Sequence, residues 1–104
     1  MVIARHWRGW ADGQAEADAY AAHFESSVRP HLKRTAGFLD ATLERAQDDD
    51  GRIEIVVVTT WASMDAIRAF AGDDIEVAVV EPAARAVLAD FDSRVRHIEL
   101  PDGG

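Results

Sequence analysis

A run of β-branched residues in the middle of the chain constrains the fold more than any other stretch. Residues 53–60, IEIVVVTT, are mostly isoleucine, valine and threonine, which favour strands because their branched side chains pack well on a pleated surface. The residues that share one face are Ile53, Ile55, Val57, Thr59 and Trp61, and those on the other are Val56, Val58 and Ala62. Since a strand with one wet face should alternate apolar and polar residues, this strand is expected to be covered on both faces.

A helix is predicted directly after this strand. Ser63 can cap its N-terminus. An apolar stripe at helical spacing follows, formed by Met64, Ile67 and Phe70. Trp61 therefore lies where a buried strand passes into a helix, which is a common position for the wall of a pocket.

The order of the predicted segments indicates the fold class. They are a strand at residues 2–10, a helix at 14–34, a strand at 38–47, the central strand and its helix, a short helix from residue 82 and a last strand at 91–100. Pro30 lies inside the long helix and is expected to kink it or to end its regular part. Residues 75–80 are strand-like in composition but short, so their structure stays open. This order predicts an α+β protein with the split βαβ, ferredoxin-like arrangement and a four-stranded antiparallel sheet.

The two apolar faces of the central strand bear on the oligomeric state. The helices of this chain can cover one face of the sheet, but the chain has no further element for the other. The simplest cover is the same sheet of a second subunit, which gives a homodimer with a barrel-like core. A bare sheet of this kind would be an unusually large apolar patch on a monomer.

Length and charge limit the classes of partner. The 104 residues are expected to form a single domain at 1–100 with a C-terminal tail at 101–104. A net charge of −8 opposes binding to nucleic acid or to an anionic membrane. The absence of cysteine excludes disulfides and thiolate metal sites, and no secretory signal or apolar span is recognisable. We expect a cytoplasmic protein whose partners are small molecules or a second copy of the chain.

Several motifs are spread along the chain: WRGW near the start, ADAYAAHF in the first helix, GFL at the second strand, VVTTWASMDAIRAF in the middle and FDSRVRH near the end. Together they resemble the antibiotic biosynthesis monooxygenase-like family of the dimeric α+β barrel superfamily. The resemblance spans residues 2–99 and implies a homodimer in which each subunit holds a pocket between helices and sheet. Relatives include cofactor-free monooxygenases of polycyclic aromatic or quinol substrates, haem-degrading enzymes and members without known activity.

The resemblance to the haem-degrading members is incomplete at two positions. Those members pair the tryptophan that matches Trp61 with an asparagine on the first strand and a haem-ligating histidine after the second helix. The first strand offers Ala4, Arg5 and His6 instead, and residues 75–80 contain no histidine. Both departures count against haem, so no cofactor and no metal are expected.

Two histidines and one tryptophan are the predicted catalytic residues. His31 lies near the centre of the apolar face of the long helix and His23 on its flank. In either position a neutral imidazole could take a proton from an acidic phenol near pH 7. Trp61 matches the tryptophan that relatives place beside the pocket. The alternative for each histidine is a half-buried side chain bonded to a carbonyl, and for Trp61 an anchor between strand and helix. The predicted substrate-binding residues are Trp7, Tyr20, Phe24, Trp61 and Phe70.

Three arginines on strands allow two interpretations. Arg5, Arg94 or Arg96 could stabilise a phenolate or a peroxide if one of them lies near the pocket. The alternative is an ion pair with the abundant acidic residues. Trp7 and Trp10 lie on opposite faces of the first strand, and periodicity does not decide which of them faces the pocket.

The sequence leaves three hypotheses for the function. The first is a cofactor-independent monooxygenase that acts on a small aromatic or quinol-like molecule. The second is a non-catalytic dimeric protein of the same fold that binds a small molecule. The third is an isomerase or degradation enzyme for a small metabolite.

Overall fold

The computed structural model of the chain describes residues 2–100 and consists of one antiparallel sheet with helices on one face. The predicted tail at 101–104 lies outside the described residues. The strands are β1 (Val2–Ala11), β2 (Phe38–Gln47), β3 (Ile53–Trp61), β4 (Asp90–Phe91) and β5 (Arg96–Leu100). They are arranged in the order β2-β3-β1-β4, and β5 also pairs with β1. The ferredoxin-like α+β fold predicted from the sequence is confirmed.

The last strand differs from the prediction because it is split into β4 and β5. Both pieces lie against β1, with Phe91 opposite Gly9 and Arg96 opposite His6. Between them the backbone turns to the segment before α4, where Ala78 donates to Ser93 and Val95 donates to Glu76. The backbone groups of residues 93–95 therefore find their partners away from the sheet, which ends the pairing with β1.

The helices are α1 (Gln14–His23), a π-helical turn (Phe24–Val28), α2 (Arg29–Lys33), α3 (Met64–Ala71) and α4 (Pro82–Val87). The first three follow one another directly, so the helix continues through Pro30, but its regular α-helical part is interrupted just before the proline. The π-helical turn lies just before the proline, where the amide of Arg29 donates to the carbonyl of Phe24, five residues back. Widening the turn accommodates the missing donor and the ring of Pro30 without breaking the helix.

The start of α3 agrees with the sequence. The Ser63 side chain accepts a hydrogen bond from the amide of Ala66 at 3.2 Å, which confirms the predicted cap. Gly37, which precedes β2, has φ of +85°, and a β carbon there would collide with Ala66. Glycine at this position allows α3 to lie directly against the turn that leads into β2.

The two faces of the sheet differ in how the chain covers them. On the inner face, which the helices cover, every second side chain of β3 from Ile53 to Trp61 is buried. On the outer face, Val56, Val58 and Trp10 are only half-buried.

Residues 75–80, whose structure the sequence left open, form no strand apart from a single bridge between Val77 and Arg94. No helix in the described residues is long and apolar enough to cross a membrane.

Candidate functional site

A cavity of about 320 Å³ lies between the long helix, the inner face of the sheet and the segment that leads into α4. Its aromatic walls are Trp7, Tyr20, Phe24 and Phe70. Its ionisable lining residues are Arg5, His23, His31 and Glu81. The volume falls at the small end of the range for ligand sites in proteins. The lining is therefore an apolar surface with a few charged or titratable groups, the usual composition of a small-molecule site.

The aromatic walls are held by packing between β1 and the long helix. Tyr20 stacks on Trp7 with ring centres 5.8 Å apart, and Phe24, one helical turn further on, lies 6.5 Å from Tyr20. The indole nitrogen of Trp7 donates to the carbonyl of Asp92 at 2.9 Å, which fixes the ring orientation. Trp7 is thus the tryptophan of β1 that faces the cavity. Trp10, whose direction the sequence could not decide, points to the outer face.

His23 and Glu81 lie together in the cavity wall. Their nearest nitrogen and oxygen, Nε2 and Oε2, are 3.8 Å apart, which is too far for a hydrogen bond. The Nε2 atom of His23 is buried and has no hydrogen-bond partner in the described residues. The pKa of the neighbouring Tyr20 is raised, first by burial and then by the negative charge of Glu81. We call His23 and Glu81 the acidic end of the cavity.

Arg5 lies on the inner face of β1 between Ile3 and Trp7, and only 4% of its surface is exposed. Its Nη1 atom donates to the carbonyl of Ile75 and contacts Nε2 of His97 at 3.0 Å, and its Nη2 atom donates to the carbonyl of Val77 at 3.0 Å. Burial lowers the pKa of Arg5 to about 10, so the guanidinium stays charged at neutral pH. We call Arg5 and His97 the cationic end of the cavity.

The three arginines of the sequence analysis have different surroundings, and Arg96 is exposed on β5. Arg94 forms ion pairs with Glu76 at 2.8 Å and with Asp74 at 3.4 Å, as the ion-pair interpretation predicts. Arg5, in contrast, has no carboxylate within 4 Å among residues 2–100 and lines the cavity. The signal in the sequence was its place on the same strand face as Ile3 and Trp7, where a charged residue interrupts an apolar surface.

His31 also lines the cavity, but it is exposed. Its ring lies 6.2 Å from that of Phe70, at the mouth rather than in the interior. The carbonyl group of His31 accepts a hydrogen bond from the Thr35 hydroxyl, while its ring nitrogens have no partner in residues 2–100. The structure therefore brings both predicted histidines to one cavity but gives them different depths.

Trp61 is not among the residues that line the cavity. It is fully buried, and its indole nitrogen donates to the hydroxyl of Thr59 at 2.9 Å. Its ring lies 5.3 Å from Phe70 and 5.5 Å from Phe38. Because Thr59 and Phe70 both line the cavity, Trp61 supports the wall from behind. The other predicted substrate-binding residues, Trp7, Tyr20, Phe24 and Phe70, all face the cavity.

In the part of the chain that the structure describes, no three histidine, aspartate or glutamate side chains come close enough together to hold a metal ion. The ligands of a stable zinc site are usually three or four such groups. What the cavity offers instead is hydrogen bonding, charge and aromatic surface.

Comparison with known structures finds the same fold in several proteins. The chain is 20% identical to SnoaB, a cofactor-independent oxygenase from Streptomyces nogalater, with a TM-score of 0.59 over 97% of this chain and 93% of SnoaB. It is 19% identical to the monooxygenase from the gene ActVA-Orf6 of Streptomyces coelicolor, solved with Nanaomycin D, with a TM-score of 0.64 over 98% and 88% of the two chains. A Caulobacter crescentus CB15 protein, crystallised as a candidate antibiotic biosynthesis monooxygenase, is 18% identical with a TM-score of 0.67 over 97% and 91%. At this level of identity, the likeness establishes the fold alone.

The sequence itself gives the family. A search of curated proteins finds no match to this chain. The profile of the family described as "Antibiotic biosynthesis monooxygenase" matches residues 12–81, which is more than half of the chain and includes the long helix, β2, β3 and α3. The chain therefore belongs to the antibiotic biosynthesis monooxygenase family.

Proposed function

We propose that this protein is a cofactor-independent monooxygenase that oxidises a small aromatic or quinol-like molecule in the cavity. The observation that carries the proposal is the Nε2 atom of His23, which is buried in the wall of an aromatic cavity without a hydrogen-bond partner in the described residues. A buried polar atom without a partner is costly in free energy, so such an atom beside a cavity favours a ligand that bonds to it. Membership of the family supports the same reaction class.

In this reaction, the substrate supplies all the electrons. His23 removes a proton from an activated C–H or O–H group, and the resulting anion reduces dioxygen by one electron. Recombination of the two radicals forms a carbon–oxygen bond, and the hydroperoxide takes up the proton that His23 holds. Loss of water then leaves a carbonyl group, so that a CH₂ group and O₂ become a C=O group and H₂O. No external reductant is needed.

The other lining residues assist this step. Glu81, with Oε2 at 3.8 Å from Nε2 of His23, stabilises the imidazolium that forms when His23 accepts the proton. The stacked rings of Trp7 and Tyr20 give a flat substrate a surface of matching shape. His31 orients the substrate at the mouth. Trp61 acts through Thr59 and Phe70, as a positioning residue of the wall.

Oxygen consumption with anthrone and a panel of naphthoquinols tests the proposal. We expect saturable uptake of O₂ and release of water together with a product that has gained one oxygen atom, which for anthrone is anthraquinone. Replacing the base, in His23→Gln, should lower turnover by about 100-fold, the usual contribution of a general base. Ala22→Gln introduces the same side chain at the neighbouring, exposed position of α1 and serves as the matched control. His31→Gln should have a smaller effect than His23→Gln.

Each contrary result has a definite meaning. Unchanged turnover in His23→Gln would overturn the assignment of the base. No oxygen uptake with any quinol or anthrone, combined with tight binding of the unreacted compound, would favour the non-catalytic binding protein of the same fold.

The same proposal includes a homodimer formed through the outer face of the sheet. The half-buried Val56, Val58 and Trp10 lie on that face, together with Ile98 of β5. Pairing the same face of two subunits would bury these side chains in an isologous interface. Light scattering at micromolar concentration should give twice the mass of the 11.4 kDa chain, and Val58→Lys should shift it towards the monomer. A monomer at that concentration would overturn this part of the proposal.

A further inference from the structure

We infer that the ligand of the cavity carries a carboxylate group and that Arg5 binds it. The inference rests on the proposed function in so far as the cavity is the substrate site, and it adds the chemical class of the substrate. It concerns binding, so it is tested without oxygen chemistry.

The first observation is the burial of a charge without a counter-ion. Arg5 is 4% exposed, lines the cavity and has no carboxylate within ion-pair distance among residues 2–100. Removing a guanidinium from water is costly unless an anion compensates for it. By contrast, the arginines of the described chain that do form ion pairs lie mostly at the surface, where such a pair contributes little to stability. A buried cation that faces a cavity instead points to an anion in the ligand.

The second observation is the set of donors that remains on the guanidinium. An arginine side chain has five N–H donors and no acceptor. Nη1 is used by the carbonyl of Ile75 and by His97, and one hydrogen of Nη2 is used by the carbonyl of Val77. The Nε–H and one N–H of Nη2 therefore have no acceptor in the described residues. Two donors on one planar group match the two oxygens of a carboxylate, which accept parallel hydrogen bonds.

His97 keeps the charge of Arg5 uncompensated while it fixes the position of the side chain. Because a guanidinium only donates, the contact of 3.0 Å with His97 is a hydrogen bond only if Nε2 carries no proton. Burial, and next the charge of Arg5, lower the pKa of His97, which favours this neutral form. The partners of Arg5 are thus two carbonyls, a neutral imidazole and the ring of Phe70, over which the guanidinium lies at 5.8 Å. None of them carries a negative charge, which is left for the ligand to supply.

The charge distribution also gives the ligand a direction. Glu81 at the acidic end repels a carboxylate, whereas Arg5 at the cationic end attracts it. Trp7, on which Tyr20 stacks, follows Arg5 by two residues on the same face of β1, which corresponds to about 7 Å along a strand. A bound aromatic acid would therefore place its carboxylate at Arg5 and its ring against Trp7 and Tyr20, near His23.

Calorimetric titration under argon with 2-naphthoate and with the neutral 2-naphthamide tests the inference. The wild-type protein should bind the acid at least about tenfold more tightly than the amide, the difference expected for charged hydrogen bonds. Arg5→Met should abolish this preference by weakening the acid about tenfold while changing the amide less than about twofold. Arg5→Lys should keep part of the preference. Arg68→Met, which removes an exposed arginine of α3 that bonds only to Asp65, is the matched control and should behave like the wild type.

The comparison of the two ligands on the wild-type protein does not depend on any variant folding correctly. Equal affinity for acid and amide, or no saturable binding of the acid up to millimolar concentration, would overturn the inference. A preference for the acid that persists in a folded Arg5→Met variant would do the same. If the protein oxidises neutral anthrone but binds the acid no better than the amide, only this inference is refuted. If it prefers the acid but takes up no oxygen, only the proposed monooxygenase function is refuted.

Discussion

The cationic end and the acidic end of the cavity are built in different ways. At the cationic end, Arg5 is buried and held by two carbonyls and by His97. At the acidic end, Nε2 of His23 lacks a hydrogen bond in the described residues, and the side chain of Glu81 is 46% exposed. A side chain held by three partners suits recognition of a fixed group, whereas an imidazole without a partner suits transfer of a proton. In the proposed function, the cationic end therefore binds the ligand and the acidic end reacts with it.

Phe24 is the most deeply buried aromatic side chain of the cavity wall, and its removal should have the largest effect. It is 1% exposed, lies next to His23 on the helix and packs against Tyr20. Phe24→Ala should lower the free energy of unfolding by about 3–5 kcal/mol, because it leaves a cavity in the core. Urea denaturation with an unchanged m value measures this difference.

The matched variant for this prediction is Phe24→Leu, which keeps most of the volume and should cost only about 1 kcal/mol. A loss below about 1 kcal/mol in Phe24→Ala would mean that Phe24 contributes little to holding the cavity wall in place.

Glu81→Gln should separate the two ends by function, with an intermediate effect. Because the carboxylate is half-exposed and 3.8 Å from His23, the free energy of unfolding should change by less than about 0.5 kcal/mol. Turnover in the oxygen assay should fall by up to about tenfold, since the imidazolium formed in the proton transfer loses a nearby negative charge. The control is Glu25→Gln, which removes an exposed carboxylate from the π-helical turn that follows His23 and should leave turnover unchanged. If turnover also stays constant in Glu81→Gln, the acidic end has no role in the proton transfer.

The smallest effect is expected for the pH dependence of stability at the cationic end. His97 is neutral in the fold because burial and Arg5 lower its pKa, although Glu76 acts in the opposite direction. The unfolded chain therefore binds a proton on His97 more readily, so stability falls as the pH drops below the ordinary value of about 6.5. His97→Gln, which keeps an acceptor for Arg5, should show a smaller loss of stability between pH 7 and pH 5.5.

Urea midpoints at the two pH values measure this difference. An identical loss in wild type and His97→Gln would show that the contact between Arg5 and His97 does not govern the pH response of the cationic end.

Much of the site could be predicted because helical spacing places Tyr20, Phe24 and His31 on one face of the long helix. The same spacing does not give depth: it places His31 nearer the centre of the apolar face and His23 on its flank, whereas in the structure His23 is the more buried of the two. His23 is covered by the segment around Glu81, which is distant in the sequence, whereas His31 lies at the mouth beside Phe70. Burial depends on such distant elements and is therefore not encoded in the local pattern.

The sequence by itself determined the first three strands, the capped start of α3 and the order that gives the ferredoxin-like sheet, because each follows from local preferences and from a period of two or 3.6 residues. Only the tertiary structure decided which tryptophan faces the cavity. Trp7 and Trp61 lie on the same face of the sheet, but Phe70 of α3 covers Trp61, while the space above Val57 and beside Trp7 stays open. Whether a side chain lines a cavity or fills the core depends on the element that packs opposite it.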